Sequence, residues 1–430
     1  MHFQRSSRIR KVIDYFTRID ESVFSHFDWS RIRRGGNFKG VLSIIRNLSY
    51  VILGIASSVV LCPISLCRSI EIWLMPLGPD KASHFIVGVE SHLRRTQLDN
   101  RKKLTPILVW PQKFPNEALA TLYKRIVYVV GPEQGLFAKI LPFVIWKVAV
   151  RNYSVNTQSI AIQVIDNDGK PSVEFSKDEI QKGKELVFDI FGDDNKSFVL
   201  FGYTSAKYRT LVDHRYHPKD DLISAVPNPL NFVKVIERLD GEGVGVVRQG
   251  LHLDESTELL RAGLLVPNYE KFASGFPDVW LAANCKFLLS ACTGSWWFGL
   301  PFNKPAVITD VYTPIGMRGM KSNLVIFQLP WNLKENRYES FAWMSANPRW
   351  SYSFEKLGLE YINIKNSPEQ IVDVVDEQLA RLNGTWIATD EDGELQKRFH
   401  RLVWGKDADS AYLPRVGAKF LREHQHLLPD

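Results

Sequence analysis

Short apolar runs rich in β-branched residues recur along this chain, and segments with helical spacing separate them. The predicted strands are Thr105–Trp110, Ile126–Val130, Phe198–Tyr203, Gly245–Gly250, Phe287–Ser290 and Ala306–Thr309. The predicted helices between them are Ser83–Arg95, Asn116–Lys124, Pro229–Leu239 and Asp278–Ala283. Strands that alternate with helices are typical of parallel βαβ units. The pattern therefore predicts an α/β protein with two successive doubly wound sheets.

The chain has 430 residues, which is long enough for two domains and an additional segment. Residues 152–195 are rich in turn signals, so we predict strands and turns there. Near the end, Ser367-Pro368-Glu369-Gln370 has the pattern of a capping box that opens a helix ending at Asn383-Gly384. The predicted divisions are an N-terminal segment at 1–78, Rossmann-like domains at 79–195 and 196–366, and C-terminal helices at 367–430.

The positive charge of the chain is concentrated near its start. Residues 1–46 contain ten Lys or Arg and four Asp or Glu, which gives +6 of the total +7. The remaining chain is almost neutral, and this excludes a general nucleic-acid-binding protein. The four cysteines lack metal-binding spacing, so we expect buried thiols in a reducing compartment.

Residues 47–67 carry no charge and lie between Arg46 and Arg68. This length is sufficient to cross a bilayer, and the basic flank is typical of a segment on the anionic cytoplasmic face. We predict a membrane-associated helical segment within residues 1–78, with an in-plane or re-entrant part at 47–77 that returns at Pro63. The protein would then lie on the cytoplasmic face of the inner membrane. A buried globular helix is the alternative.

Thr293-Gly294-Ser295 follows the predicted strand Phe287–Ser290 and begins the next element. A hydroxyl residue at this position is a good N-cap, and the N–H groups of a first helical turn attract anions. Gly294 has no Cβ to obstruct a close approach. We predict that the phosphate of a nucleotide-sugar donor binds here; a capped helix without a ligand is the alternative.

Arg248 stands at the end of another predicted strand, immediately before Gln249-Gly250. A guanidinium group at the carboxyl end of a strand is suited to bind a diphosphate or a sugar carboxylate. The competing interpretation is an ordinary surface salt bridge.

Two further patterns resemble metal sites. Asp166-Asn167-Asp168 has the D-x-D form that holds a divalent cation against a diphosphate, but Gly169 follows it, and the stretch is more typical of a hairpin turn. His214 and His217 have no third ligand nearby in the sequence. We therefore predict no metal site and no cofactor.

An ordered set of short motifs resembles a family of bacterial GT-B-type glycosyltransferases associated with surface-polysaccharide biosynthesis. The motifs include Ser83-His84, Glu90, Leu93-Arg94, Tyr208-Arg209, Val247-Arg248-Gln249-Gly250, Asn268-Tyr269, Asp278-Val279-Trp280, Thr293-Gly294-Ser295, Phe302-Asn303-Lys304-Pro305 and Gly417-Ala418-Lys419. The resemblance covers about residues 79–425. It implies a GT-B-like pair of Rossmann-type domains, a nucleotide-sugar substrate, and a glycan or lipid-linked acceptor, with no metal required.

The resemblance also implies roles for individual residues. His84, Glu90 and Asp278 are the catalytic candidates, with His84 as the preferred general base. The donor-binding candidates are Arg248, Gly250, Asn268, Tyr269, Thr293, Gly294 and Ser295, and the candidates for an acceptor or phosphate contact are Tyr203 and Arg209. The chain departs from the family pattern in the 203–209 loop, which keeps open a second hypothesis: a non-catalytic glycan-binding or scaffold protein of a polysaccharide assembly complex.

Overall fold

The computed structural model describes most of the chain downstream of residue 70. The described residues are 70–74, 82–98, 105–109, 114–130, 170–204, 227–250, 256–268, 271, 275–291, 293–314, 319–347, 360–405 and 413–428. The chain divides into two compact units, the first comprising residues 1–115 and 120–160 and the second comprising 116–119 and 161–430. Each unit contains parallel strands, so the predicted mixed α/β class is confirmed, while the predicted domain boundaries stay predictions.

The first unit contains a three-stranded parallel sheet in the order β1-β2-β3. Its elements are β1 (Ile70–Leu74), α1 (Ala82–Leu98), β2 (Thr105–Val109), β3 (Tyr128–Val130) and, from residue 120 onward, α2 (Glu117–Lys124). The side chain of Asn116 caps α2 by accepting a hydrogen bond of 2.9 Å from the Leu119 N–H. The buried ring of Phe85 packs edge-on against Phe114 and Tyr123, which joins α1 to α2.

Strand β1 corrects the end of the predicted membrane-associated segment. Residues 70–74 were assigned to that segment, but they pair along their whole length with β2. In the stretch Ile-Glu-Ile-Trp-Leu, the charged residue Glu71 stands between two isoleucines, which is the alternation of a strand. This spacing suits a strand better than a bilayer helix.

The second unit is built on a seven-stranded sheet, whose pairs in the described residues are all parallel. The strands are β4 (Phe198–Tyr203), β5 (Gly245–Arg248), β6 (Leu264–Leu265), β7 (Leu288–Ala291), β8 (Ala306–Val311), β9 (Leu324–Phe327) and β13 (Arg415–Val416). Their order in the sheet is β13-β9-β8-β7-β4-β5-β6. Strands β4, β5, β7 and β8 are buried along their whole length, as expected for a parallel sheet covered on both faces.

Helices cover this sheet, and a small antiparallel sheet extends from it. The helices are α3 (Lys177–Phe191), α4 (Val233–Gly241), α5 (Thr257–Arg261), α6 (Phe276–Asn284), α7 (Phe341–Ala346), α8 (Pro368–Leu382), α9 (Asp390–Trp404) and α10 (Ala418–Glu423). Short 3₁₀-helices span Pro229–Phe232, Gly294–Phe302 and Gln425–Leu427. The small sheet has the order β11-β10-β12, with β10 (Leu329–Asn332), β11 (Arg337–Tyr338) and β12 (Tyr361–Ile364).

Helix α3 lies in the region that we predicted to be strands and turns. A capping box starts it, because the Ser176 hydroxyl accepts from the Glu179 N–H while the Glu179 carboxylate accepts from the Ser176 N–H. Gly192 ends it in the left-handed conformation, with φ of 71°. The Ser-x-x-Glu signal is present in the sequence, but the prediction rested on the turn signals of the neighbouring Asn, Asp and Gly residues alone.

The C-terminal helices pack on the second unit, and the capping box predicted at Ser367 is present with Gln370 as its partner. A buried network joins these helices. The Glu377 carboxylate accepts from Arg381, at 2.7 Å, and from the backbone N–H of Ala418, at 2.7 Å. Glu377 is only 3% exposed, and its hydrogen bond from Ala418 fixes α10 against α8.

Several predictions concern residues outside the described part of the chain. They include the basic start of the chain, the uncharged run 47–67, the Asp166–Asp168 turn, and His214 and His217. In the described ranges, none of the helices combines the length and the apolar character needed to cross a bilayer. Cys285 is buried and free, as predicted for it, and burial raises the pKa of its thiol to about 12.

Gly183 on α3 lies at a close contact with helix α6. A Cβ at this residue would lie 1.9 Å from Cε2 of Trp280 on α6. We expect Gly183→Ala to destabilise the protein by up to about 2 kcal/mol, because an overpacking cost of about 1–3 kcal/mol opposes a gain of about 1 kcal/mol in helix propensity. The midpoint of urea unfolding measures this change.

Gly393 on α9 is the matched control, since a Cβ there meets nothing within 4 Å. Gly393→Ala should raise the unfolding midpoint, because only the helix-propensity term acts. Equal shifts of the same sign in both variants would contradict the contact between Gly183 and Trp280.

Candidate functional site

The order of the seven strands defines one special position along the sheet. The chain enters at β4, moves outward through β5 and β6, and then returns to β7 on the opposite side of β4. The carboxyl ends of β4 and β7 therefore lie at a topological switch point, where open α/β sheets bind their ligands. This Rossmann-like order places Tyr203 and Ala291 side by side at the candidate site.

Three hydroxyl groups meet at the carboxyl end of β7. The Ser290 Oγ lies 3.2 Å from the Thr293 Oγ1 and 3.1 Å from the Ser295 Oγ, and the last two hydroxyls are also hydrogen-bonded to each other. Thr293 caps the 3₁₀-helix Gly294–Phe302, as predicted, because its hydroxyl accepts from the Ser295 N–H at 3.3 Å. Gly294 is exposed between two half-buried neighbours. The rim thus presents hydroxyls and the first turn of a helix.

Arg248 lies at the carboxyl end of β5, as predicted, but it is only 5% exposed, so it is a buried residue and not a surface one. Its Nη2 donates to the Tyr203 carbonyl at 3.0 Å, and its Nη1 donates to the Gln249 carbonyl. The guanidinium also stacks on the Tyr203 ring, 4.2 Å from the centroid. The buried cation therefore ties the end of β4 to the end of β5.

Asp278 fixes the position of Gly250, which lies two residues after Arg248. Its carboxylate accepts a hydrogen bond of 2.9 Å from the Gly250 N–H, although the two residues are 28 positions apart. Gly250 has φ of 89°, which turns the chain away from β5 and favours glycine at this position. Asp278 lies in the first turn of α6, so this contact joins that helix to the rim.

Gln249 and Gly202 are not among the predicted site residues, although Gln249 belongs to the motif Val247-Arg248-Gln249-Gly250. Gln249 is 4% exposed, and its Nε2 has no hydrogen-bond partner among the described residues. A Cβ on Gly202 would lie 3.3 Å from the Gln249 Oε1 and 2.1 Å from the Ser295 Oγ. Gly202 therefore provides the space in which the side chains of Gln249 and Ser295 come together.

At the carboxyl end of β8, the buried residues Asp310 and Asn366 are joined by two hydrogen bonds. The Asp310 N–H donates to the Asn366 Oδ1 at 2.6 Å, and the Asp310 carboxylate accepts from the Asn366 N–H at 2.9 Å. Asp310 has φ of 53°, an uncommon conformation for a residue other than glycine. Burial raises the pKa of the Asp310 carboxyl to about 6, against the opposing effects of the Asn366 hydrogen bond and the Lys365 charge.

Glu90, a catalytic candidate, is fully buried in the first unit. Its carboxylate pairs with the Arg94 Nε at 2.9 Å and accepts from the Tyr123 hydroxyl at 2.7 Å. This buried ion pair favours a structural role for Glu90, because a general base must be reachable by the acceptor hydroxyl. Similarly, the bond from Gly250 gives Asp278 a positioning role at the rim.

The other predicted residues are partly outside the described structure. His84 lies in α1, but its side chain is not described, and Tyr269 and Arg209 are outside the described residues. Asn268 is exposed and follows β6 at the same edge of the sheet as Arg248. Within the described ranges, no cluster of His, Cys, Asp or Glu could hold a metal ion.

The chain matches no protein-family model and no curated protein sequence. Among solved structures it is similar to a glycosyltransferase family 9 protein from Veillonella parvula DSM 2008, with 13% identity, 69% of this chain and 80% of that chain covered, and a TM-score of 0.31. It is also similar to E. coli heptosyltransferase WaaC with ADP-2-deoxy-2-fluoro heptose, with 14% identity, 55% of this chain and 63% of that chain covered, and a TM-score of 0.22.

Proposed function

We propose that this protein is a GT-B-type glycosyltransferase that moves a sugar from a nucleotide-sugar donor to a glycan or lipid-linked acceptor. The motifs that resemble the polysaccharide-associated glycosyltransferases motivate the reaction class. The main structural support is the hydroxyl cluster Ser290, Thr293 and Ser295 at the switch point of the second sheet. Its position is the one where such sheets bind nucleotides.

The reaction requires groups that stabilise negative charge on the departing diphosphate. Hydroxyls at the start of the 3₁₀-helix donate hydrogen bonds, and backbone N–H groups of a first helical turn have no partner within the helix. We assign the donor phosphates to Thr293, Gly294 and Ser295, and we propose no metal in the reaction. Gly250, Asn268 and Tyr269 remain proposed donor contacts, while Tyr203 and Arg209 remain proposed phosphate or acceptor contacts.

We propose a positioning role for the guanidinium of Arg248, beside the donor contact that was predicted for it. Because it is buried and donates to two strand-end carbonyls, we propose that it positions the rim and adds positive potential there. Its charge still favours an anionic ligand at short range, since a buried charge is weakly screened. His84 remains the proposed base for the acceptor hydroxyl.

We further propose that the basic residues 1–46 and the uncharged residues 47–67 hold the enzyme on the cytoplasmic face of the membrane. This location would bring the donor site to a membrane-borne acceptor. Removal of residues 1–67 should reduce co-sedimentation with vesicles that contain anionic lipid, as the charge pattern requires. Equal co-sedimentation of both chains would contradict the proposal.

A thermal-shift screen of the full chain against UDP, GDP, ADP, CMP and dTDP and their sugars tests the function. We expect one nucleotide to raise the melting temperature, because a ligand at 100 times its Kd stabilises by about 2.7 kcal/mol. Ser295→Ala should weaken that binding about 10- to 100-fold, since a hydrogen bond to a charged group contributes about 1.5–3 kcal/mol.

Ser345 is a suitable control, because its hydroxyl donates to the Phe341 carbonyl within α7 and lies outside the hydroxyl cluster. Ser345→Ala should leave nucleotide binding unchanged. Binding without transfer to any acceptor would favour the glycan-binding or scaffold hypothesis, and the absence of all nucleotide binding by the folded chain would overturn the donor site.

A further inference from the structure

We propose that the carboxamide of Gln249 is a ligand contact, and that it donates a hydrogen bond to a phosphate oxygen of the bound nucleoside diphosphate. This inference rests on the proposed donor site at the switch point. It concerns a residue that takes part in none of the roles assigned above. The neighbouring hydroxyl cluster and the start of the 3₁₀-helix identify the ligand class as an anion.

The first argument is the unpaired donor. Gln249 is 96% buried, and its Nε2 has no hydrogen-bond partner within the described chain. A buried polar group without a partner lowers stability, and native proteins keep few of them. A side chain that is unfavourable in the ligand-free protein is expected to gain its partner when the ligand binds.

The second argument is the fixed position of this side chain. The Gln249 N–H donates to the Phe201 carbonyl at 2.8 Å, and the Gln249 carbonyl accepts from the buried Arg248. The next residue, Gly250, is held by Asp278. The backbone is therefore anchored on both sides, so little conformational freedom of the main chain is lost when the ligand binds.

The third argument is the direction of the carboxamide. Its Oε1 and the Ser295 Oγ both lie close to the space above Gly202, at 3.3 Å and 2.1 Å from the position of an added Cβ. The carboxamide is thus directed toward the hydroxyl cluster. Since Nε2 is shielded in this structure, a phosphate oxygen reaches it after neighbouring side chains shift, a change that commonly accompanies binding.

The test uses Gln249→Met, which keeps the size of the side chain and removes its N–H groups. We expect the Kd for the nucleoside diphosphate found in the screen to rise about 10- to 100-fold by calorimetry. The Kd for the corresponding nucleoside should stay unchanged, because it lacks the phosphates. The melting temperature without ligand should rise, since an unpaired buried polar group has been removed.

Gln378→Met is the matched control, because Gln378 is 2% exposed on α8 and its Oε1 also has no partner among the described residues. It should leave both Kd values unchanged. If Gln249→Met does not fold, Gln249→Leu replaces it; it also lacks the N–H groups, so it should weaken diphosphate binding and leave nucleoside binding unchanged.

The possible results separate this inference from the proposed function. Wild-type binding with a Kd changed less than twofold by Gln249→Met overturns the inference and leaves the donor site intact. Equal losses for nucleoside and diphosphate also overturn it, because the contact would then not be to phosphate. If the folded wild-type protein binds no nucleoside diphosphate, both proposals are wrong.

Discussion

Gly202→Ala is expected to lower the affinity for the nucleotide about 100-fold. The added methyl group would lie 2.1 Å from the Oγ and 2.7 Å from the Cβ of Ser295, so the hydroxyl cluster must move. A displacement of about 1 Å at a site of this kind can cost about 100-fold in function. The same overpacking should lower the free energy of unfolding by about 1–3 kcal/mol. Calorimetry with the nucleotide and urea unfolding measure the two effects.

Two controls separate packing from recognition. The double variant Gly202→Ala/Ser295→Gly removes both clashing atoms, and it should regain stability without regaining affinity. Gly241→Ala places a methyl group where nothing lies within 4 Å, so it should bind like the wild type. Wild-type affinity in Gly202→Ala would show that the hydroxyl cluster is not the nucleotide site.

Asp310→Asn should make the protein more stable at pH 7.5, by up to about 3 kcal/mol. The carboxyl has a pKa of about 6 in the folded chain against an ordinary value of 3.8, because it is completely buried. The folded state therefore binds the proton more tightly than the unfolded state does. The contribution of this carboxyl to the free energy of unfolding is therefore most favourable below about pH 4, and it is lost as the pH rises through 6.

Asparagine keeps the geometry and removes the charge. Its side-chain oxygen can accept from the Asn366 N–H, and Asn tolerates the left-handed conformation of residue 310 well. Urea unfolding between pH 4 and pH 8 gives the free energy of unfolding of the wild type and of Asp310→Asn at each pH. The two values should diverge as the pH rises. Asp193→Asn, at an exposed turn, should follow the wild-type curve throughout. Parallel curves for Asp310→Asn and wild type would contradict the burial effect.

The strands at the centre of the second sheet were well predicted, because local composition determines them. Phe198–Tyr203 is β4 residue for residue, and Gly245–Gly250 contains β5. Continuous apolar runs bounded by glycine carry that information in the sequence. The Ser367 capping box was equally informative, because all its contacts lie within four residues.

The partners of the rim residues could not be predicted, because they come from distant parts of the chain. Position in the sequence placed Arg248 at a strand end, but the Tyr203 carbonyl that accepts from it is 45 residues away. Asp278 and Asp310 likewise depend on contacts across 28 and 56 residues. Local patterns in a sequence report on residues a few positions apart, so they contain no signal for such distant pairs.

Gln249 and Gly202 could have been noticed on chemical grounds. A glutamine directly after a buried strand and before a glycine is an unusual residue to bury, and a glycine within an otherwise continuous apolar strand indicates a close approach of neighbouring atoms. Neither signal identifies the neighbour. The fold supplies it, since Ser295 occupies the space above Gly202.

The late position of strand β13 in the sequence affects how this protein folds during its synthesis. Residues 415 and 416 pair with β9, whose own residues leave the ribosome about ninety positions earlier. Until then, the nascent chain exposes an apolar strand edge, which is a template for association with other chains. Products of premature termination within α8 or α9 should therefore aggregate, and synthesis in the presence of chaperones should rescue only the chains that include β13.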